Sequence, residues 1–128
     1  MSNLRNAAAL AAMAVVLTAV LVMPAGAATR DKVTTGTCSK GSHWTLTLKR
    51  DHGRIEADLE IRKTTAGQQW KSVFRDNGTK FGHALTTAKP DGSLDATRRA
   101  KDRSGADAIT VKATNLTTGE VCKAAGTF

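Results

Sequence analysis

Four basic residues crowd one short stretch of this 128-residue chain, Arg98, Arg99, Lys101 and Arg103, relieved only by Asp102. Like charges held this close repel one another unless solvent, salt or a polyanion offsets them. The chemistry they offer is recognition of an anionic partner: a cell-envelope polymer, an acidic lipid headgroup or nucleic acid. The competing reading is a solvated surface screened by salt. Specific nucleic-acid binding is the least favoured, because no aromatic platform of the kind that stacks single-stranded bases is present.

The other residue types that do chemistry are scattered. The histidines are His43, His52 and His83. None forms a His-x-His or His-x-x-x-His pair, so no metal site is expected. His83 has the best claim to a role, lying between Phe81 and Leu85 in a strand-like run. Ser39, Ser42, Ser72, Ser93 and Ser104 all lie outside the Gly-x-Ser-x-Gly setting of a nucleophile elbow. Glu56, Asp58 and Glu60 fall on one side of a strand, with neighbours roughly 7 Å apart along it. That separation suits acid–base work, but such a face is more often solvated and paired with bases, for which Lys49, Lys71 and Arg75 are available. No catalytic residue, no metal ligand and no cofactor is expected.

The element that must position these groups is clearest over Arg54 to Arg62. Ile55, Ala57, Leu59 and Ile61 alternate without a fault against Arg54, Glu56, Asp58, Glu60 and Arg62. A period of two is a ribbon with one dry and one wet face. The same design recurs less cleanly. Lys32 to Ser39 is Thr- and Val-rich; Trp44, Leu46 and Leu48 alternate; Gln69 to Arg75 places Trp70 and Phe74 on one side and Lys71, Val73 and Arg75 on the other. Lys80 to Ala88 is read with Phe81 and Leu85 on its apolar side. Ser93 to Ala100, Ile109 to Thr114 and Glu120 to Ala124 complete the set, with Lys101 to Asp107 a charged loop. Asp51-His52-Gly53, Asp76-Asn77-Gly78 and Lys89-Pro90-Asp91-Gly92 are turn signals, and Asn-Gly is a strong hairpin signal. Asn77-Gly78-Thr79 and Asn115-Leu116-Thr117 match the glycosylation sequon but are read as turns. The rhythm predicts a small all-β antiparallel sandwich of about seven to eight strands, with a small barrel as the alternative.

The N-terminus reads as an address. Arg5 is followed by an uncharged run from Ala7 to Met23, then by Pro24-Ala25-Gly26-Ala27. This order predicts a secretory signal over 1–27, cut between Ala27 and Ala28, and one domain over 28–128 with no transmembrane segment. Arg5 is the only charged side chain of the signal, so the formal charge of +8 becomes +7 in the mature chain. Tyr is absent and the aromatics are two Trp and three Phe. The core is therefore small and largely aliphatic. Cys38 and Cys122, the only cysteines, follow an export signal, so a structural disulfide is expected. It would close a loop of about 85 residues and destabilise the unfolded chain by roughly 4 to 5 kcal/mol.

A resemblance runs through nearly all of residues 28–128. Gly36-Thr37-Cys38, Asp51-x-Gly53-Arg54-Ile55-Glu56, Gly67-Gln68-x-Trp70, Asn77-Gly78-Thr79, Pro90-x-Gly92-Ser93, Gly105-x-Asp107 and Ala113-Thr114-Asn115-x-x-Thr118-Gly119-Glu120-x-Cys122 together resemble a family of small hypothetical secreted proteins of high-GC Gram-positive bacteria. The resemblance implies an immunoglobulin-like sandwich with a single disulfide, and no activity. The enediyne-binding apoproteins are a second comparison, from which this chain departs in having two cysteines rather than four and in being basic. The expectation is a secreted, basic, non-catalytic module. It would be extracellular or associated with the envelope, with envelope teichoic acids among the anionic polymers its basic cluster could meet. The alternative is a small-molecule carrier with Trp44 or Trp70 at the rim of a cleft, or an inhibitor of a secreted enzyme.

Overall fold

A computed structural model describes residues 30–128. The expected signal over 1–27 and its cleavage point lie outside the described residues. Eight antiparallel strands form two four-stranded sheets, with no helix among the described residues. The strands are β1 (Lys32–Thr37), β2 (His43–Asp51), β3 (Arg54–Arg62), β4 (Gln69–Asp76), β5 (Thr79–Thr87), β6 (Leu94–Lys101), β7 (Ala108–Asn115) and β8 (Val121–Thr127). One sheet runs in the order β1-β2-β3-β6 and the other β5-β4-β7-β8. The chain crosses between sheets after β3, β5 and β6, so β6 returns beside β3 while β7 lies beside β4. This is the Greek-key exchange of an immunoglobulin-like sandwich, built by β2 to β8, with β1 added at one edge.

The alternation dictates the interior. Leu46, Leu48, Ile55, Leu59 and Ile61 from the first sheet meet Trp70, Phe74, Ile109 and Val111 from the second, all buried. Burying such a set from both inner faces is the main driving force for a domain of this size. Trp70 packs inside while its indole N–H donates to Thr64 Oγ1 at 3.1 Å, so its polar edge is satisfied. Trp44 folds over its cross-strand neighbour Gly36, where a Cβ would lie 2.5 Å from the indole ring. That close approach explains a glycine inside a strand.

Turns close the hairpins as the sequence signals predict. Asn77 and Gly78 both take positive φ, 47° and 84°, and bring Asp76 opposite Thr79. His52 and Gly53 do the same between Asp51 and Arg54. Both sequon asparagines serve turns. Asn77 Oδ1 accepts from the Ala108 amide, and buried Asn115 Oδ1 accepts from the amides of Thr117 and Thr118.

Both open edges of the sandwich are fastened. At one, Cys38 and Cys122 are bonded with Cα atoms 4.4 Å apart, and the Ser39 amide donates to the Val121 carbonyl at 2.9 Å. Thr34 Oγ1 donates to the Ala125 carbonyl on the same side. The bond joins the segment after β1 to the edge strand β8, unlike the cross-core disulfide of antibody domains. At the other edge, Arg98 on β6 donates through Nε to the His83 carbonyl on β5 at 2.9 Å, and its side chain fills the space left by Gly82.

Two details correct the strand-level expectations. A β-bulge between Phe74 and Arg75 shifts the register of β5. Phe81 turns toward the core, its ring centroid 5.9 Å from that of Phe74. Leu85, expected on the apolar side, instead faces out at 62% exposure, and His83 faces out with it. A single extra residue reverses the alternation beyond it. Lys71 and Arg75 also lie on β4, in the opposite sheet from Glu56, Asp58 and Glu60, so of the three bases proposed as partners only Lys49 is beside them.

Candidate functional site

The outward side chains of the two sheets carry charge in different ways. On the β1-β2-β3-β6 face, acids and bases interleave. Arg99 on β6 lies directly opposite Glu56 on β3 and donates to it at 2.7 Å through Nη2, and through Nε to Asp51 at 3.1 Å. Lys49 Nζ is 3.8 Å from Asp58, which also accepts from the Thr97 hydroxyl. Arg62 pairs with Glu60, and Lys89 Nζ with Asp95 at 2.8 Å. A shallow recess of about 410 Å³ on this face is lined by Lys49 as well as Asp58, Glu60 and Asp95, so both signs of charge meet there.

The expected basic cluster is divided by this arrangement. Arg98 has the parity of Leu94, Ala96 and Ala100, so it turns inward at the edge and bonds backbone carbonyls of His83 and Thr97. Arg99 turns outward onto Glu56 and Asp51. Lys101 and Arg103 are exposed and have no ion pair among the described residues. Asp102, between them, binds Arg50 at 2.9 Å, and Arg50 also lies over the Phe128 ring at 5.3 Å.

The β5-β4-β7-β8 face is of another kind. Its strands contribute Lys71 and Arg75 from β4, Lys80 from β5, Lys112 from β7 and Lys123 from β8. The only carboxylate in these four strands is Asp76, which is buried. None of the five cations has an ion pair among the described residues. Two pairs of them are directly opposed: Lys112 faces Lys123, and Arg75 faces Lys80. Cross-strand like charges destabilise a sheet. Val73, Thr110, Thr114 and Ala125 fill the spaces between. An open recess of about 500 Å³ adjoins the Lys112–Lys123 pair and is lined by Thr37, Ser39 and Val121 as well.

The three histidines weighed for chemistry lie apart. His52 is exposed in its turn and contacts Asp51, whose carboxyl is held below its usual range chiefly by that imidazole. His43 lies at the start of β2 and His83 on the outer side of β5. Among the described residues no group of three or more His, Cys, Asp or Glu could hold a metal ion. Trp44 and Trp70, the rim residues a carrier cleft would need, are packed in the core.

Three buried acids escaped the sequence reading. Glu120 accepts from the Lys40 amide at 2.9 Å, the Ser42 amide at 3.0 Å and the Ser42 hydroxyl at 2.7 Å. Burial pushes its carboxyl up, but the Ser42 and Lys40 donors outweigh this and hold it below the usual range. Glu120 thus braces the turn that carries Cys38. Asp76 and Asp107, 4% and 1% exposed, sit at the opposite end of the sandwich, and both Asp107 oxygens and Asp76 Oδ1 lack hydrogen-bond partners. Burial first, and Asp107 second, push the Asp76 carboxyl up. A proton on one acid supplies the donor the pair otherwise lacks.

No family model, no curated protein and no solved structure matches the chain. Among the described residues no helix is long and apolar enough to cross a membrane.

Proposed function

We propose that the protein is an exported, non-catalytic binding module that associates with the cell envelope through an anionic polymer. The observation that supports this is the β5-β4-β7-β8 face, which presents five cations and no exposed carboxylate. A face of one sign concentrates counter-ions and steers an oppositely charged partner. Lys101 and Arg103 extend the positive field of the molecule but are set beside paired acids, so the binding surface is centred on Lys112 rather than on the Arg98 to Arg103 run. The resemblance to small secreted proteins of Gram-positive bacteria fits an envelope rich in anionic polymers.

Co-sedimentation of the oxidised residues 28–128 with purified cell envelope, over a salt series, tests the proposal. Retention is expected at low salt and is expected to fade steeply toward and beyond physiological ionic strength. Lys71→Gln/Lys112→Gln should weaken it more than Arg98→Ala/Arg99→Ala. Absence of retention at low salt overturns the proposal.

A further inference from the structure

The recess beside Lys112 and Lys123 is tied to the disulfide by strand geometry. Cys38 and Cys122 point inward and are buried. Side chains alternate along an extended chain, so the residues flanking a buried half-cystine point outward. Thr37 and Ser39 flank Cys38, and Val121 and Lys123 flank Cys122. These four, with Lys112 opposite Lys123, line the recess. The covalent bond therefore holds together the two segments that carry Thr37, Ser39, Val121 and Lys123. Ser39 Oγ accepts from the Val121 amide at 2.9 Å, which leaves its hydrogen to point elsewhere. Thr37 and Ser39 are both exposed, so two hydroxyls line the recess beside the two lysines.

We infer that this recess is a phosphate subsite, and that the polymer held by the face is linked by phosphodiesters. The inference rests on the reading of the face as a polyanion site. An anion set between opposed lysines turns a cross-strand repulsion into two charge-assisted contacts. Two ammonium groups and two hydroxyls line the recess, and the four oxygens of a phosphodiester offer these donors more acceptors than the two of a carboxylate. The opposed Arg75–Lys80 pair, one strand beyond Lys112 and displaced along it, gives a second anchor for a chain of phosphates running diagonally across the sheet. The partner is a polymer in water rather than a bilayer. No Trp or Phe is exposed on the face, and Leu85 on the far strand is its one large exposed apolar side chain among the described residues, so nothing there would insert among lipid chains. A polymer without bases fits best, because the face has no stacking platform.

Calorimetric titration of the oxidised residues 28–128 with linear polyphosphate and with poly-L-glutamate of equal charge number, at one low salt concentration, tests the inference. Polyphosphate should bind about tenfold more tightly. Lys112→Gln/Lys123→Gln should remove that preference and lower the slope of log affinity against log salt by about two. Thr37→Val should reduce the preference while leaving polyglutamate affinity unchanged. Lys71→Gln/Lys80→Gln should weaken both polymers and keep the preference. Equal affinity for the two polymers overturns the phosphate subsite and leaves the polyanion face standing. Binding of neither overturns both. Sedimentation with phosphatidylglycerol vesicles without binding of soluble polyphosphate makes the partner a membrane, and tighter binding of single-stranded DNA than of polyphosphate makes it nucleic acid; either result also overturns the inference.

Discussion

The two outer faces of this sandwich are made from equal numbers of strands with the same two-residue alternation, yet they answer the same electrostatic problem in opposite ways. The strands of β1-β2-β3-β6 carry five acids, Asp51, Glu56, Asp58, Glu60 and Asp95, and each meets a base or a hydroxyl from a neighbouring position. The strands of β5-β4-β7-β8 carry five cations and leave two pairs of them opposed. A surface under selection for stability alone has no use for opposed lysines. If the unpaired face is the binding surface, as proposed, the pairing of each charge is a better guide to it than net charge.

The comparison can be broken or sharpened by substitution. The largest effect should come from Cys38→Ser/Cys122→Ser, which releases the edge where the cationic face meets β1. Loss of the 84-residue separation constraint is expected to lower stability by roughly 4 to 5 kcal/mol, measured by chemical denaturation. Glu120→Gln removes the buried carboxylate that braces the same edge and should cost about 1 to 3 kcal/mol at neutral pH. The sign of its pH dependence follows from its depressed folded value. Its contribution is present above the ordinary glutamate range of about 4 to 4.5 and is lost as pH falls through the depressed value. Acid denaturation curves of Glu120→Gln should therefore be flatter in that range.

Asp107→Asn tests the opposite sign at the other end of the molecule. The raised Asp76 carboxyl contributes stability below the ordinary aspartate range and loses it as pH rises through the raised value. An amide at position 107 donates to Asp76 at every pH, so the variant should gain about 1 to 2 kcal/mol at neutral pH and little below pH ~3. Smaller effects separate the two faces directly. Glu56→Gln on the paired face should lower Tm by about 2 °C, because Arg99 loses its principal partner. Lys112→Glu on the unpaired face should raise Tm by a similar small amount, about 1 to 2 °C, because it turns an opposed pair into an attractive one.

How much of this was legible depends on whether the information is local. The faultless alternation of Arg54 to Arg62 identifies β3 to the residue. The turn dipeptides locate the hairpins, and the expectation of export together with two cysteines predicts the disulfide. β5 was legible as a strand but not in its facing, because the bulge opposite Phe74 and Arg75 arises from pairing and leaves no mark in the alternation itself. The Arg98 to Arg103 run stands out in sequence because its members are adjacent. Their fates are decided by distant residues: Glu56 and Asp51 for Arg99, the edge of β5 for Arg98. The cationic face has the reverse character. Lys71, Arg75, Lys112 and Lys123 are each unremarkable along the chain, and only the non-local placement of β4 beside β7 and β7 beside β8 gathers them. Glu120 is likewise recognisable only once Ser42 and Lys40 are seen to surround it.

The most direct measurement compares two double variants with the same change in net charge, one on each face. Lys71→Gln/Lys112→Gln removes two cations from the unpaired face, and Val33→Glu/Thr35→Glu adds two anions to the exposed outer side of β1. Retention on purified cell envelope is measured for both at the same low ionic strength. If the β5-β4-β7-β8 face is the binding surface, the lysine variant loses retention and the β1 variant keeps most of it. Equal loss in the two would mean that overall charge alone governs association, and would contradict a dedicated cationic face.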